Sequence, residues 1–114
     1  MSEVPRLRPE DIEAARFGTV RFGEGYHEEE VDDFLTEVRD DLRRRLLLLD
    51  RLAGGGPDAL RGALGPRLSP QDVQRHTFRI VRFREGYDPR EVDAFLDTVV
   101  NEFGRLDREL RSGG

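Results

Sequence analysis

Hydrophobic residues recur every three or four positions over two long stretches of the chain, which is the spacing of a helix with one apolar face. The first stretch runs from Glu28 to Leu52, and the second follows Asp88. The pattern predicts two helices whose apolar seams pair as a short coiled coil. The predicted seam residues are Val31, Leu35, Val38, Leu42 and Leu49 in the first helix, and Val92, Leu96, Val99, Phe103 and Leu106 in the second.

One seam position of the first helix is charged. Arg45 stands where the spacing calls for an apolar residue, and the residue that aligns with it in the second helix is Leu106. A polar residue at such a position tends to set the choice of partner helix. We therefore expect Arg45 to favour pairing of the two unlike helices over pairing of like with like.

The two stretches belong to an internal repeat. Setting residues 7–46 over residues 68–107 gives 17 identities in 40 positions, which duplication explains most simply. In each repeat a short helix is predicted to begin at Pro9 or Pro70 and to lead through a loop into the long helix. The predicted fold is all-α, with two short-helix/loop/long-helix repeats at residues 5–53 and 67–112. Residues 54–66, rich in Gly and Pro, form the predicted linker.

Helix starts are marked unequally in the two repeats. Ser69 and Asp88 are favourable N-cap residues for the short and long helix of the second repeat. The aligned residues of the first repeat are Arg8, which is a poor cap, and His27, which is a weaker one. The second repeat therefore has the better defined helix boundaries.

The chain has 114 residues and a net charge of −5, so a general nucleic-acid binder is disfavoured. It contains no Cys, which excludes disulfides and thiolate metal sites and is compatible with a reducing cytoplasm. The two histidines, His27 and His76, occupy non-equivalent places in the repeat, so no duplicated base or metal ligand exists. We predict a protein that is not an enzyme and uses no cofactor or metal.

The N-terminus shows no apolar signal segment, and the longest apolar run, Leu46–Leu49, is too short to span a bilayer. We therefore expect a cytoplasmic protein. A peripheral position at the inner face of the cell membrane is compatible with the same sequence.

Each predicted loop carries the same short motif. It reads VRFGEGY over Val20–Tyr26 and VRFREGY over Val81–Tyr87. We expect Gly25 and Gly86, which precede the tyrosines, to adopt a positive φ. Neither copy has the Lys and Ser/Thr residues of a phosphate-binding loop.

Two interpretations of the loop aromatics are open. Phe22 and Phe83 either fold inward, with the neighbouring arginines solvated or paired with glutamates, or they lie at exposed tips. An exposed Phe flanked by Arg is the combination that enters a lipid interface beside anionic headgroups. The second tip is the more basic, because Gly18 and Gly23 replace two of its arginines in the first. The candidate residues for membrane or partner binding are Arg21, Phe22, Arg79, Arg82, Phe83 and Arg84.

The motif order matches a known family. Pro-x-Asp-Ile/Val, then Phe, then a loop, then Gly-Tyr-x-x-x-Glu-Val-Asp-x-Phe-Leu resembles the N-terminal domain of DivIVA, the bacterial cell-division and polar-growth scaffold. The pattern occurs twice, and the second copy, LSPQDVQRHTFRIVRFREGYDPREVDAFLDTVVNEF, is close to the actinobacterial form. The resemblance implies a short helix, a loop and a coiled-coil helix that dimerises in parallel. It also implies membrane binding through exposed Phe and Arg residues of the loop.

We therefore predict a non-enzymatic adaptor of cell division or polar growth. Its loop tips would bind a membrane surface, protein partners or both, above a coiled-coil helix pair. The alternative is a purely structural dimerisation or partner-recognition module with no lipid binding. The predicted partners are the chain itself, through intramolecular repeat pairing or as a homodimer, an anionic membrane surface, and proteins of the division or growth machinery.

Overall fold

The fold was obtained as a computed structural model that describes residues 6–54 and 65–112. The N-terminal half, residues 6–54, contains α1 (Pro9–Ala14), β1 (Thr19–Val20), β2 (Gly25–Tyr26) and α2 (Glu28–Gly54). The C-terminal half, residues 65–112, contains α3 (Pro70–Arg75), β3 (Ile80–Val81), β4 (Gly86–Tyr87) and α4 (Pro89–Arg111). Most of the predicted linker, residues 54–66, lies outside the described residues.

The two helices of the C-terminal half begin at strong caps. The Ser69 hydroxyl accepts the N–H of Asp72 at 3.0 Å, and the Asp72 carboxylate accepts the N–H of Ser69 at 3.0 Å. This reciprocal arrangement is a capping box at the start of α3. At the start of α4, the Asp88 carboxylate accepts the N–H of Arg90 at 3.0 Å.

The helices of the N-terminal half begin with less help from their cap residues. At α1 the Asp11 carboxylate accepts the N–H of Arg8 at 2.9 Å, so the bond runs back from inside the helix. At α2 the His27 Nδ1 atom accepts the N–H of Glu30 at the longer distance of 3.3 Å. The first helical turn of α2 is nevertheless acidic, which suits the positive end of the helix dipole.

The four short strands form one antiparallel sheet in the order β1-β4-β2-β3. Each strand pair joins one half to the other: β1 with β4, β2 with β3, and β2 with β4 at Tyr26 and Tyr87. The prediction of an all-α fold is therefore wrong in this respect, since the chain is mostly helical but also contains a small sheet. Two-residue strands carry no alternating pattern of their own, and only pairing with the other half defines them.

The prediction of a positive φ at Gly25 and Gly86 is also wrong. Among the described residues a positive φ occurs at Gly23, with 104°, and at Phe83, with 62°. Gly25 and Gly86 instead lie where β2 and β4 approach each other closely. A Cβ atom on Gly25 would lie 3.0 Å from the Gly86 Cα atom, so side chains are excluded by space and not by φ.

The core lies between α2 and α4 and between each long helix and the short helix of its own half. The α1 residue Ile12 and the α3 residue Val73 are both buried. Nine of the ten predicted seam residues are buried, and Leu49 is half-buried. Among the described residues, no helix is long and apolar enough to cross a bilayer.

Each long helix also holds the segment before the short helix of the other half. The Glu102 carboxylate of α4 accepts the N–H of Leu7 at 3.2 Å. The Asp41 carboxylate of α2 accepts the N–H of Arg67 at 3.0 Å and that of Leu68. The bond from the Arg105 guanidinium lowers the pKa of Glu102 despite its burial, so this carboxylate stays charged.

Candidate functional site

Phe22 and Phe83 are the most exposed large hydrophobic residues of the described chain. Their exposed fractions are 84% and 88%, against 59% for Leu47. They lie in the loops that join β1 to β2 and β3 to β4. The inward-folded interpretation is therefore wrong for both residues. We call residues 21–24 and 82–85 the tip.

The tip arginines are paired across the two halves. Arg21 lies 3.6 Å from the Glu85 carboxylate, and Arg82 donates to the Glu24 carboxylate. All four side chains are at least half exposed. Exposed ion pairs contribute only about 0–1 kcal/mol, so these arginines can exchange their glutamate partners for another anion at little cost.

The remaining predicted arginines occupy two different places. Arg79 lies at the base of the tip, where its N–H donates to the Glu30 carboxylate at 2.9 Å and its guanidinium lies 3.5 Å from the same group. Arg84 lies in the tip near Glu28. Burial, together with the charge of Glu85, raises the pKa of the Glu28 carboxyl, and Arg84 opposes this rise. The tip itself contains Arg21, Arg82 and Arg84 together with Glu24 and Glu85, so it has one excess positive charge.

The two loops differ in backbone conformation as well as in charge. Phe83 has a φ of 62°, in the left-handed region, whereas the loop of the N-terminal half places Gly23 there instead. A non-glycine residue in a sparsely populated region costs about 1–3 kcal/mol and persists only where its surroundings hold it. The exposed position of Phe83 is thus held against local strain.

Two glutamates in the first turns of the long helices anchor the base of the tip to the other half. Glu91 of α4 accepts the N–H of Gly18 at 2.8 Å, as Glu30 of α2 accepts that of Arg79. Next to these bonds, the N–H of Asp88 donates to the Gly18 carbonyl at 2.8 Å. The sequence signal for these anchors was the identity of Glu30 and Glu91 at aligned positions of the repeat.

Two tyrosines reach the long helix of the opposite half. The Tyr26 hydroxyl donates to Asp93 at 2.9 Å, and the Tyr87 hydroxyl donates to Asp32 at 2.8 Å. Burial, the hydrogen bond and the carboxylate charge raise the pKa of each tyrosine to about 12. Both bonds tie the base of the sheet to the helix pair.

A groove of about 370 Å³ lies beside Tyr87, between α1 and α2. Ile12, Leu35, Thr36 and Asp32 form part of its wall. A corresponding groove of about 390 Å³ lies beside Tyr26 and Asp93. Within residues 6–54 and 65–112, no group of three His, Asp or Glu side chains is placed to hold a metal ion.

Comparison with known proteins finds one family model and one curated relative. Residues 68–112 match the family model of the DivIVA protein. The DivIVA match covers α3, β3, β4 and α4. A stretch of 44 residues is 36% identical to the cell cycle protein GpsB of Limosilactobacillus reuteri (strain DSM 20016). That stretch is 39% of this chain and 37% of the GpsB chain, so the chain spans little more than a third of this relative. No solved structure matches the chain.

The DivIVA match includes part of the tip. Arg79, Arg82, Phe83 and Arg84 lie within the matched residues, whereas Arg21 and Phe22 lie outside them. The tip therefore combines one loop from the DivIVA-matching half with one loop from the N-terminal half.

The tyrosine bonds predict an unusual alkaline titration. The chain has two Tyr and no Trp, so absorbance of tyrosinate in the near ultraviolet reports these two residues alone. We expect both to ionise at about pH 12 in the folded protein, against an ordinary pKa of 10. Because the folded pKa is raised, the stabilisation is complete below pH 10 and is lost as the pH rises towards 12.

Asp93→Asn supplies the internal control for this titration. It removes the carboxylate beside Tyr26 and should lower the pKa of that residue, while Tyr87 keeps its partner Asp32. Titration of both tyrosines near pH 10 in the folded wild-type protein would contradict the bonds described.

Proposed function

We propose that this chain is a non-enzymatic adaptor of cell division or polar growth, built from two DivIVA-type units, and that its tip binds an anionic membrane surface. The match of residues 68–112 to DivIVA and the similarity to a cell cycle protein support the general class. The 17 aligned identities and the sheet shared between the halves support a further DivIVA-type unit at residues 5–53, beside the actinobacterial-like unit at residues 67–112. In this proposal α2 and α4 form a short parallel coiled coil within one chain.

The observation that carries the membrane proposal is the pair of exposed phenylalanines beside arginines at one end of the molecule. Burying one Phe side chain contributes about 1.5–3 kcal/mol. Each basic residue near an anionic surface adds about 1 kcal/mol. With two Phe residues and one excess positive charge, binding is modest, requires anionic lipid and weakens with salt.

Vesicle flotation of the full chain tests this proposal. We expect wild type to float with vesicles of phosphatidylcholine and phosphatidylglycerol, and to stay unbound with phosphatidylcholine alone. Phe22→Ala/Phe83→Ala should reduce binding by about tenfold or more, because the two side chains that would insert into the membrane are lost. Glu24→Gln/Glu85→Gln should strengthen binding, because it removes the competing partners of Arg82 and Arg21.

Leu47→Ala is the matched control, since Leu47 is also an exposed apolar residue but lies on α2 outside the tip. Its binding should equal that of wild type. If wild type fails to float with anionic vesicles, the lipid proposal is wrong. The structural or partner-recognition alternative then remains, with the same exposed Phe residues as its contact surface.

A further inference from the structure

The guanidinium of Arg45 is held almost entirely by the other half. Its side chain is only 1% exposed. Arg45 Nε donates to Asp107 at 2.8 Å, and Nη2 donates to the Leu68 carbonyl at 2.6 Å. The guanidinium carbon also lies 3.8 Å from the centre of the Phe103 ring. Within its own half, Arg45 has the Asp41 carboxylate at 3.8 Å, too far for a hydrogen bond.

The repeat alignment shows what Arg45 would meet in a pair of two N-terminal halves. The residues aligned with Phe103 and Asp107 are Leu42 and Leu46. Such a pair would bury Arg45 against two leucines, without the aromatic face and without the second carboxylate. A buried cation that has lost its hydrogen-bonded partner is strongly disfavoured.

A pair of two C-terminal halves fails in the complementary way. The residue aligned with Arg45 is Leu106, so Asp107 would face an apolar side chain where it now accepts the Arg45 bond. Asp107 is 22% exposed, so its loss is smaller than that of Arg45. Both like pairs are therefore worse than the unlike pair.

We propose that Arg45, Phe103 and Asp107 form a pairing code that restricts each half to the unlike half, whether that half belongs to the same chain or to a second copy. The inference rests on the proposed construction from two paired units. Its consequence is that every tip contains one loop of each kind. The partner that Arg45 accepts is a helix with an aromatic ring and a carboxylate at the positions of Phe103 and Asp107.

Single cysteines in the full chain can read the pairing directly, because the natural sequence contains none. Val38 and Val99 are aligned in the repeat, and both are completely buried in the seam. Val38→Cys alone forms a disulfide between chains only where two N-terminal halves pair. Val99→Cys alone does the same for two C-terminal halves.

We expect neither single-cysteine chain to form appreciable disulfide dimer on mild oxidation. The double variant Val38→Cys/Val99→Cys should oxidise within one chain, or reciprocally between two chains at high concentration. Adding Arg45→Leu/Asp107→Leu to each single-cysteine chain removes the code and should raise the disulfide dimer by about tenfold or more. Light scattering, which measures molar mass, should show that chains with Arg45→Leu/Asp107→Leu form larger species as the protein concentration rises.

Arg51→Leu/Asp97→Leu is the matched control, because both residues are exposed on the same two helices. It should leave the disulfide dimer at the wild-type level. A Val38→Cys chain with the natural seam that dimerises as readily as its Arg45→Leu/Asp107→Leu derivative overturns the code. The Val38→Cys chain tests the proposal even if the Arg45→Leu/Asp107→Leu variant fails to fold. Extensive disulfide dimer with the natural seam is sufficient to reject the pairing code.

The cysteine readout is separate from the vesicle experiment. Absence of lipid binding would leave the disulfide pattern unchanged. Absence of any disulfide in Val38→Cys/Val99→Cys would show instead that the halves do not pair, and both the two-unit construction and the code would fall together.

Discussion

Phe103→Ala should lower the free energy of unfolding by about 3–5 kcal/mol, the range for truncating a buried Phe. Phe103 is completely buried in the seam. The Arg45 guanidinium also lies over the Phe103 ring. The substitution therefore leaves both a cavity and a buried cation that has lost its contact with an aromatic ring. Because domains of this size are stable by only about 5–15 kcal/mol, the substitution removes a large share of the total stability. Urea denaturation followed by circular dichroism measures the change.

Phe22→Ala makes the same chemical change at an exposed position of the tip. We expect it to alter the free energy of unfolding by about 0.5 kcal/mol or less, as for most surface substitutions. A similar loss of stability in Phe103→Ala and Phe22→Ala would show that Phe103 is not buried in the seam. The same measurement on Phe22→Ala/Phe83→Ala, the variant used with vesicles, verifies that the tip substitutions leave the fold intact.

Gly86→Ala should destabilise the chain by about 1–3 kcal/mol, the usual cost of overpacking. A Cβ atom at this position would lie 2.6 Å from Val81 Cγ2 and 2.9 Å from the Tyr26 carbonyl oxygen. The carbonyl belongs to the paired strand β2 and cannot move without separating the two halves. Thermal unfolding followed by circular dichroism gives the size of the effect.

Gly104→Ala is the matched control, and it should act in the opposite direction. Gly104 lies inside α4, and its added Cβ would meet only the end of the Arg108 side chain at 3.6 Å. Alanine is the better helix former by about 1 kcal/mol, so this variant should be more stable than wild type. Equal effects of the two substitutions would contradict the close approach of β2 and β4.

Features encoded by local sequence could be predicted. The seam spacing places Val38 and Val99 at buried positions, and the Ser69 cap with Asp72 gives the start of α3. The strands could not be predicted, since each is two residues long and exists only because the other half supplies its partner. Gly25 and Gly86 were misread for the same reason, because their neighbours lie in the opposite half.

In the candidate site, too, local sequence identified the residues but not how they pack. The motif drew attention to Phe22 and Phe83, but whether they point inward or outward depends on how the two loops pack together. Arg79 illustrates the limit, since its position at the base of the tip follows from a bond to Glu30 in the other half. Local sequence could not reveal that bond.

The strand pairing also constrains the order in which the molecule can be completed during synthesis. Residues of the N-terminal half leave the ribosome first, but Thr19 and Val20 find their partners only at Tyr87 and Gly86. Pairing between such distant residues is slow compared with helix formation. Until α4 has emerged, the seam of α2 lacks its partner helix, and the nascent chain exposes an apolar stripe on an otherwise charged helix.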